Sequence, residues 1–359
     1  MENKRLISLD VLRGLTVALM ITVNNGGGKM IYSTLEHSKW NGMTPCDLVF
    51  PFFLFIMGIS TFLSFKKSNF TWSKTTARKI AKRTILIFLI GLILNWFGLL
   101  LSGKGLDFEH LRIWGVMQRI ALCYLAVSIF ALSFKHKYIP ITIVVLLAIY
   151  SAILILGNGY AYDSNLNILS KVDINIFGYE HLYHKSPVDP EGLLSTIPAI
   201  AHTMIGFYCG KLMASARDTE DKVMKFMIAG GILVIIGYLV SFGLPLNKRI
   251  WSPSYVCMTC GLAAICQGLL MYYIDIKGIA KEKLNMALIF GTNPLFLYVV
   301  SELVGIIFGA TGLKIGIYNG INTVVINPYM ASLVYAILFM LLHALMGYPL
   351  WKKHIFIKL

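Results

Sequence analysis

Residues 46–65 read CDLVFPFFLFIMGISTFLSF, a run of twenty residues in which Asp47 carries the only charge. An α-helix needs about 20 predominantly apolar residues to cross the hydrocarbon of a bilayer. The segment that follows, KKSNFTWSKTTARKIAKR at residues 66–83, holds seven basic residues and no acidic one. An apolar run that ends in a basic segment is typical of a transmembrane helix with a cytosolic end.

The rest of the chain has the same character. Of its 359 residues, 57% are hydrophobic and 14% are charged, whereas about a quarter of a soluble domain is charged. We therefore predict an all-α polytopic membrane protein with about ten transmembrane helices, forming a single domain over residues 1–359. The ten stretches lie near residues 6–25, 46–65, 84–101, 116–134, 138–156, 193–213, 224–244, 253–273, 285–308 and 328–348.

The distribution of Lys and Arg predicts the orientation of these helices. With the N-terminus inside, 21 basic residues fall in inside segments and nine in outside loops, while Arg13 and Arg119 lie within spans. This bias places both termini in the cytosol. The net charge of +15 would suggest a nucleic-acid partner for a soluble protein. Here the charge lies in short loops between apolar segments, so no nucleic-acid partner is expected.

Polar residues at membrane depth are costly and therefore need a reason. Arg13 either forms a local ion pair with Asp10 or contacts a phosphate of a substrate. The glycines of VNNGGGKM, residues 23–30, allow close approach of a ligand or of another helix. Asp47 and Arg119 lie near the outer ends of their helices, and we expect them to pair with each other.

The remaining polar candidates are in the outside loops. They are His37, Trp40 and Asn41 in the loop 26–45, Asp189 and Glu191 in the acidic loop 157–192, and Asn247 and Trp251 in PLNKRIWSPSY. The pair His181 and His184 in HLYH is weak support for zinc because the spacing alone is not specific, so no metal is expected. Asn293 and Pro294 interrupt the ninth stretch, which often marks a cavity. A polar outer pocket of this kind fits a transporter or an intramembrane enzyme.

Two long strings resemble a known family. RLISLDVLRGLTVALMITVNNGGGK and HSKWNGMTPCDLVFPFFLFIMGIS are similar to the heparan-alpha-glucosaminide N-acetyltransferases, as are GVMQRIALCY, HLYH with DPEG, PLNKRIWSPSYV and GTNPLFLY. The resemblance implies transfer of the acetyl group of cytosolic acetyl-CoA across a membrane to the amino group of a terminal glucosamine, as in heparan sulfate. It further implies that His37 is the catalytic histidine and that Asn24 is its partner.

The resemblance also gives the other candidates a role. The predicted ligands of the CoA phosphates are Arg13, Lys79, Lys82 and Arg83, and the predicted contacts with the amino sugar are Trp40, Asn41, Asp47, Asp189, Glu191, Asn247 and Trp251. Animal members of the family are lysosomal and carry an additional N-terminal part and span that this sequence lacks. We therefore expect a multi-pass protein of a bacterial inner membrane. Its expected partners are acetyl-CoA, an amino-sugar acceptor and the bilayer, and a homodimer is left open.

Several alternatives stay open at this point. An amino-sugar transporter would use the same polar pocket without acetyl transfer, and an O-acetyltransferase would modify a hydroxyl of a cell-envelope glycan. His37 can remove a proton from the amine or carry the acetyl group as an acyl-imidazole. Animal members have a histidine near Ser301, and its absence here means that details of the outer pocket are not transferred from them.

The predicted orientation is tested by cysteine labelling. In a background without the six native cysteines, His37→Cys should react with a membrane-impermeant maleimide added from outside, and Lys74→Cys only after the membrane is opened. If the His37→Cys variant is labelled only from the cytosolic side, the orientation is the reverse of the one predicted.

Overall fold

The computed structural model describes residues 6–105 and 107–357, and within them the chain is helical. The only β-type pairing in that part is an isolated bridge between Gly42 and Asn247. The helices are α1 (Ile7–Asn24), α2 (Val49–Lys66), α3 (Lys74–Leu99), α4 (Val116–Ser133), α5 (Ile139–Leu156), α6 (Ile168–Phe177), α7 (Thr196–Ala214), α8 (Thr219–Ser241), α9 (Pro253–Leu270), α10 (Asn285–Thr292), α11 (Pro294–Ala310), α12 (Leu313–Val325) and α13 (Pro328–Lys352).

The helices confirm the class predicted from the sequence, an all-α polytopic membrane protein. Over the described residues, eight helices are long and apolar enough to cross a bilayer, or nine if the bent pair α10 and α11 is one span. The stretch predicted at 193–213 forms α7, which is not among these eight. Its buried residues include His202 and Thr203, and such polar residues lower the hydropathy of a helix that packs in the interior.

Loops that the sequence assigns to the same face contact one another. At the predicted outer face, Gly42 N donates to Leu246 O at 2.7 Å and Trp40 Nε1 donates to Tyr160 O at 3.0 Å. At the opposite face, Trp72 Nε1 donates to Ser133 Oγ at 3.2 Å, and Lys211 Nζ, in the last turn of α7, lies 3.4 Å from His136 O. These contacts place the last turn of α7 at the same face as the segments that follow α2 and α4. Which of the two faces is cytosolic stays a prediction, as does the single domain.

The helices in the centre of the bundle approach closely where glycines face each other. A Cβ atom on Gly14 of α1 would lie 1.7 Å from Ala287 O of α10, and one on Gly206 of α7 would lie 2.1 Å from Phe55 O of α2. Small residues at such crossings are what membrane helices use to pack without a hydrophobic driving force. By contrast, only 17% of the most apolar 18-residue stretch of α5, and of α8, is buried against the protein, which leaves their apolar sides for lipid.

The break between α10 and α11 lies at Asn293, followed by Pro294 at the first turn of α11. The chain bends by 73° between the two segments. The side chain of Asn293 donates to Ile355 O at 2.8 Å and accepts from Ile357 N at 2.8 Å. Pro294 has no N–H to continue the hydrogen bonding of α10, so α10 ends and the chain bends there. The side-chain amide of Asn293 holds the segment after α13 against this bend.

The glycines after α1 pack against helices. Gly27 N donates to Ser332 O and Gly28 N to Ser332 Oγ, both on α13. A Cβ on Gly27 would lie 2.8 Å from Tyr335 Cβ, and one on Gly28 would lie 2.5 Å from the Tyr318 ring. Of the two uses proposed for these glycines, close approach to another helix is the one observed.

A matched pair of alanine substitutions tests the helix contacts. Gly206→Ala should destabilise the protein by roughly 1–3 kcal/mol because the new methyl group collides with the backbone of α2. Gly231→Ala on α8 meets no atom within 4 Å and should be neutral or slightly stabilising, because alanine favours a helix. Thermal unfolding in detergent measures both, and equal melting temperatures would contradict the close crossing.

Candidate active site

The loop between α1 and α2 carries His37 and is tied to the start of α2. Asp47 lies in the 3₁₀ turn Pro45–Leu48 that precedes α2. Its Oδ2 atom accepts hydrogen bonds from the backbone N–H groups of Ser38, at 3.1 Å, and Thr44, at 3.0 Å. A carboxylate in the first turn of a helix also suits the positive end of the helix dipole. Local sequence therefore fixes the direction of the Asp47 side chain.

Three side chains contact the imidazole of His37. Asp47 Oδ1 lies 2.8 Å from Nδ1, and Cys46 Sγ lies 3.1 Å from the same nitrogen. Lys248 Nζ lies 2.9 Å from Nδ1, 3.3 Å from Nε2 and 3.4 Å from Asp47 Oδ1. The Asp47 side chain is fully buried, whereas 37% of the His37 side chain is exposed. The ring therefore lies at the surface, with a buried anion and a nearly buried amine beneath it.

The contact with Asp47 favours one tautomer of His37. A carboxylate can only accept, which favours a proton on Nδ1 and a lone pair on Nε2. Lys248 Nζ is at similar distances from both ring nitrogens, 2.9 and 3.3 Å, so it lies over the ring and not in line with the lone pair of either. Burial lowers the pKa of His37 below its ordinary value and Lys248 adds to this effect, while Asp47 opposes it. His37 is therefore a neutral base at neutral pH, oriented by a carboxylate as in the histidine–aspartate pairs of acyl-transfer enzymes.

Lys248 reaches the imidazole because the loop between α8 and α9 folds onto the loop after α1. Asn247 Nδ2 donates to Asn41 Oδ1 at 3.1 Å, next to the backbone hydrogen bond from Gly42 to Leu246. Burial lowers the pKa of Lys248, while Asp47 and other nearby acidic groups favour its charged form. Asn41 and Asn247 thus join two loops, and their predicted contact with substrate stays a prediction.

Trp251 lies behind this loop and is 1% exposed. Its ring packs edge-on against Tyr255 at 5.3 Å between centroids, and the guanidinium of Arg119 lies 5.0 Å from it. The Tyr255 hydroxyl donates to the backbone carbonyl of Asp47. Trp251 therefore supports the site from inside, and its predicted contact with the amino sugar stays a prediction.

The expected pairing of Asp47 with Arg119 is wrong. Asp47 contacts His37 and Lys248, whereas the fully buried Arg119 donates to Gly192 O at 3.1 Å and to the Ser195 hydroxyl. Both residues do lie near the outer ends of their helices. Asp47, however, turns toward the loop after α1 because it closes the first turn of α2, while Arg119 turns toward the start of α7.

Asp189 and Glu191 converge on Arg112. The guanidinium Nη2 lies 2.9 Å from Asp189 Oδ1 and 2.8 Å from Glu191 Oε2, and its Cζ lies 4.7 Å from the centre of the Tyr183 ring. Burial alone would raise the pKa of Glu191, but Arg112 and Lys248 are among the cations that lower it below its ordinary value. The acidic pair and the His37 cluster are therefore close enough to interact electrostatically.

Asn24 ends α1, is exposed at the surface, and its side chain hydrogen-bonds Glu302 of α11. Where the carboxylate is ionised it only accepts, so the amide nitrogen of Asn24 is then the donor and its oxygen is left for another partner. Tyr298, one turn earlier on α11, also hydrogen-bonds Glu302. Asn24 is thus oriented by Glu302, and its predicted role beside His37 stays a prediction.

Trp40 anchors the His37 loop to the chain before α6. Its indole nitrogen donates to Tyr160 O, and its ring lies edge-on to Tyr162 with 5.3 Å between centroids. The Trp40 side chain remains partly exposed. Its predicted contact with the acceptor therefore stays a prediction.

The predicted ligands of the CoA phosphates lie on two helices. Arg13 of α1 pairs with Asp10 at 2.9 Å and donates to Ser60 Oγ of α2 at 2.9 Å, so the local ion pair is confirmed. On α3, Arg83 lies 4.5 Å from the centre of the Tyr124 ring. The other two, Lys79 and Lys82, are exposed. A contact of any of the four with CoA stays a prediction.

Sequence reasoning missed two cations of the site, Lys248 and Arg112. Both are among the nine basic residues that the predicted orientation places outside, against the general bias of Lys and Arg toward the cytosol. This is the signal that could have marked them. Within residues 6–105 and 107–357, no group of three or more His, Cys, Asp or Glu side chains is arranged to hold a metal ion. His181 of the HLYH motif instead hydrogen-bonds Leu111 O at 2.7 Å.

The sequence profile described as heparan-alpha-glucosaminide N-acetyltransferase, catalytic, matches residues 5–242 of this chain. The chain belongs to this family. The heparan-alpha-glucosaminide N-acetyltransferases of mouse and human are 30% and 31% identical to it, in alignments that cover 77% of this chain and 50% of each relative. The chain thus spans about half the length of the curated relatives it matches. Lys248 lies beyond the region that the family profile matches.

The protonation state of His37 can be tested with diethyl pyrocarbonate, which modifies neutral imidazole. We expect the modification of His37, followed by mass spectrometry, to have a midpoint below the ordinary pKa of about 6.5. Asp47→Asn should move the midpoint further down, because it removes the anion that favours the protonated ring. The His37→Gln variant shows how much of the modification occurs on other histidines. A midpoint in Asp47→Asn that equals or exceeds that of the unaltered protein would contradict the contact.

Proposed function

We propose that this protein is a membrane-embedded acetyltransferase, which moves the acetyl group of cytosolic acetyl-CoA to the amino group of glucosamine or of a saccharide containing it. The observation that supports this most is the neutral imidazole of His37, oriented by the buried Asp47. The names of the mouse and human relatives describe this type of transfer. A bacterial inner membrane with both chain termini in the cytosol remains our expectation for its location.

The proposed role of His37 is to remove a proton from the acceptor amine as it attacks the thioester. Its Nε2 atom has the free lone pair and belongs to the partly exposed side of the site. A base of this kind contributes roughly 10²–10⁴-fold to a rate. Asp47 holds the ring and stabilises the positive charge that the proton brings.

Asn24 is the proposed donor to the oxygen of the thioester carbonyl. An amide hydrogen directed at the position where negative charge develops stabilises the transition state. Glu302 accepts one hydrogen bond from the Asn24 amide, and the second N–H of that nitrogen is left for the substrate. Glu302 is then the residue that positions Asn24.

The acceptor side of the site is rich in carboxyl groups. Asp189, Glu191 and Glu302 bring three carboxyl groups, while Arg112 pairs with the first two, and Arg119 and Lys248 also act on Glu191. Carboxyl groups of this kind can accept hydrogen bonds from the amino and hydroxyl groups of a sugar. Trp40 at the rim offers an aromatic face to a sugar ring. These features suit an amino-sugar acceptor.

The donor is proposed to enter from the opposite face. The segment 66–83 carries seven basic residues there, and Lys79 and Lys82 are exposed at the start of α3. Cations of this kind bind phosphate groups strongly. Arg13 and Arg83, deeper along α1 and α3, continue the positive charge toward the interior.

Substitution of His37 tests the proposed function. His37→Ala should reduce turnover at least 10²-fold, because the transition state loses its base, while the protein stays folded because Asp47 keeps its contacts with Ser38, Thr44 and Lys248. His184→Ala is the matched control. This histidine is exposed and packs at a tilt against the Tyr179 ring, with 4.7 Å between centroids, and the variant should keep full activity. The assay follows CoA release by purified protein supplied with acetyl-CoA and glucosamine.

The same preparation separates the alternatives. Uptake of glucosamine into vesicles without release of CoA would identify a transporter instead. Acetylation of a hydroxyl, identified by NMR of the product, would identify an O-acetyltransferase. Full turnover by a folded His37→Ala variant would assign the chemistry to another residue.

A further inference from the structure

Among the residues that the structure describes, Lys248 is the one cation in contact with the imidazole. Its side chain is 11% exposed and lies within 3.4 Å of both Asp47 Oδ1 and the two ring nitrogens of His37. Burying an ammonium costs several kcal/mol unless it is paired. Asp47 compensates for that cost, but the same carboxylate already has three other partners in His37, Ser38 and Thr44. Structural support for Asp47 alone therefore does not explain a buried lysine here.

Thioester aminolysis leaves two protons to be managed. The attacking amine must lose one, and the departing sulfur must gain one. His37 Nε2 accounts for the first, and in a histidine–aspartate pair the imidazole can also return that proton to the leaving group. Where a second donor lies beside the ring, the sulfur can be protonated as the carbon–sulfur bond breaks, while the imidazole still holds the proton of the amine.

We propose that Lys248 is the general acid that protonates the departing thiolate of CoA, and that His37 returns a proton to it. This inference rests on the proposed function. The amine nitrogen forms a bond to the carbonyl carbon and gives its proton to His37 Nε2. The carbon–sulfur bond breaks, and the sulfur takes a proton from Lys248 Nζ. Nζ lies 3.3 Å from Nε2, over the imidazole ring. A movement of the lysine side chain onto the Nε2–H axis then lets the proton pass to Nζ, which restores both residues.

The surroundings of Lys248 suit this role. An ordinary lysine, with a pKa of about 10.4, is a weak acid toward a thiol whose pKa is about 8.5. Burial lowers the pKa of Lys248, which brings donor and leaving group closer. The groups around the amine are Asp47, Cys46 and His37 from the loop after α1 and the start of α2, and Glu191 from the segment before α7. Proton transfer is fastest between partners of matched pKa.

Two substitutions separate acid catalysis from a fixed charge. Lys248→Arg keeps a cation that does not lose its proton in a protein, and Lys248→Met removes the charge. With acetyl-CoA, both should lose at least 10²-fold in turnover. With an aryl thioester, whose thiolate leaves without protonation, both should stay within about tenfold of the unaltered protein. Equal losses with the two donors, or near-normal turnover of Lys248→Arg with acetyl-CoA, would overturn the proposal.

A chemical rescue decides the question with acetyl-CoA alone. In the background without native cysteines, Lys248→Cys is alkylated with 2-bromoethylamine, which rebuilds a lysine-like primary ammonium. A second sample receives (2-bromoethyl)trimethylammonium, which supplies the charge without a transferable proton. Rescue by the first reagent only is the expected result, and rescue by both, or by neither, contradicts it. Absence of CoA release by the unaltered protein would instead reject the proposed function.

Discussion

A buried carboxylate at the end of a membrane helix requires several donors, because removing its charge from water costs several kcal/mol. The donors to Asp47 include the N–H groups of Ser38 and Thr44, the Thr44 hydroxyl, the imidazole of His37 and the ammonium of Lys248. These donors come from two segments that are far apart in sequence. Satisfying one anion therefore fixes the loop after α1, the first turn of α2 and the loop between α8 and α9 relative to one another.

The bundle beneath makes this arrangement rigid. Gly58 and Gly206 bring α2 and α7 into backbone contact, and Tyr255 of α9 donates to the carbonyl of Asp47. Trp251 fills the space between α9 and Arg119. Because three central helices converge directly under Asp47, the anion is held by the apolar packing of the bundle as well as by its own hydrogen bonds. The reactive imidazole can then remain partly exposed without losing its orientation.

Local sequence patterns were enough to predict most of the helices of this fold. They did not predict which side chains contact one another within the site. Runs of about 20 apolar residues predicted the spans, and Asn293–Pro294 predicted the broken helix, since both patterns act within a few residues. The partner of Asp47 was predicted wrongly because two residues near helix ends look equally available. Lys248 lies 211 positions from His37, and no periodicity connects such residues. The role of His37 came from a resemblance in a long motif rather than from physical reasoning about one histidine.

The arrangement of His37 and Lys248 also bears on how the acetyl group travels. If Nε2 accepted the acetyl group from the thioester, the departing thiolate would take its proton from Lys248 and leave a neutral amine beside it. That amine would lie about one hydrogen-bond length, 3.3 Å, from the acylated nitrogen. Acyl-imidazoles react readily with amines, so the enzyme would acetylate its own lysine and form a stable amide. In direct transfer to a bound amino sugar, Nε2 carries only a proton, and passing that proton to Lys248 regenerates the site. We therefore favour direct transfer in a complex that holds donor and acceptor together.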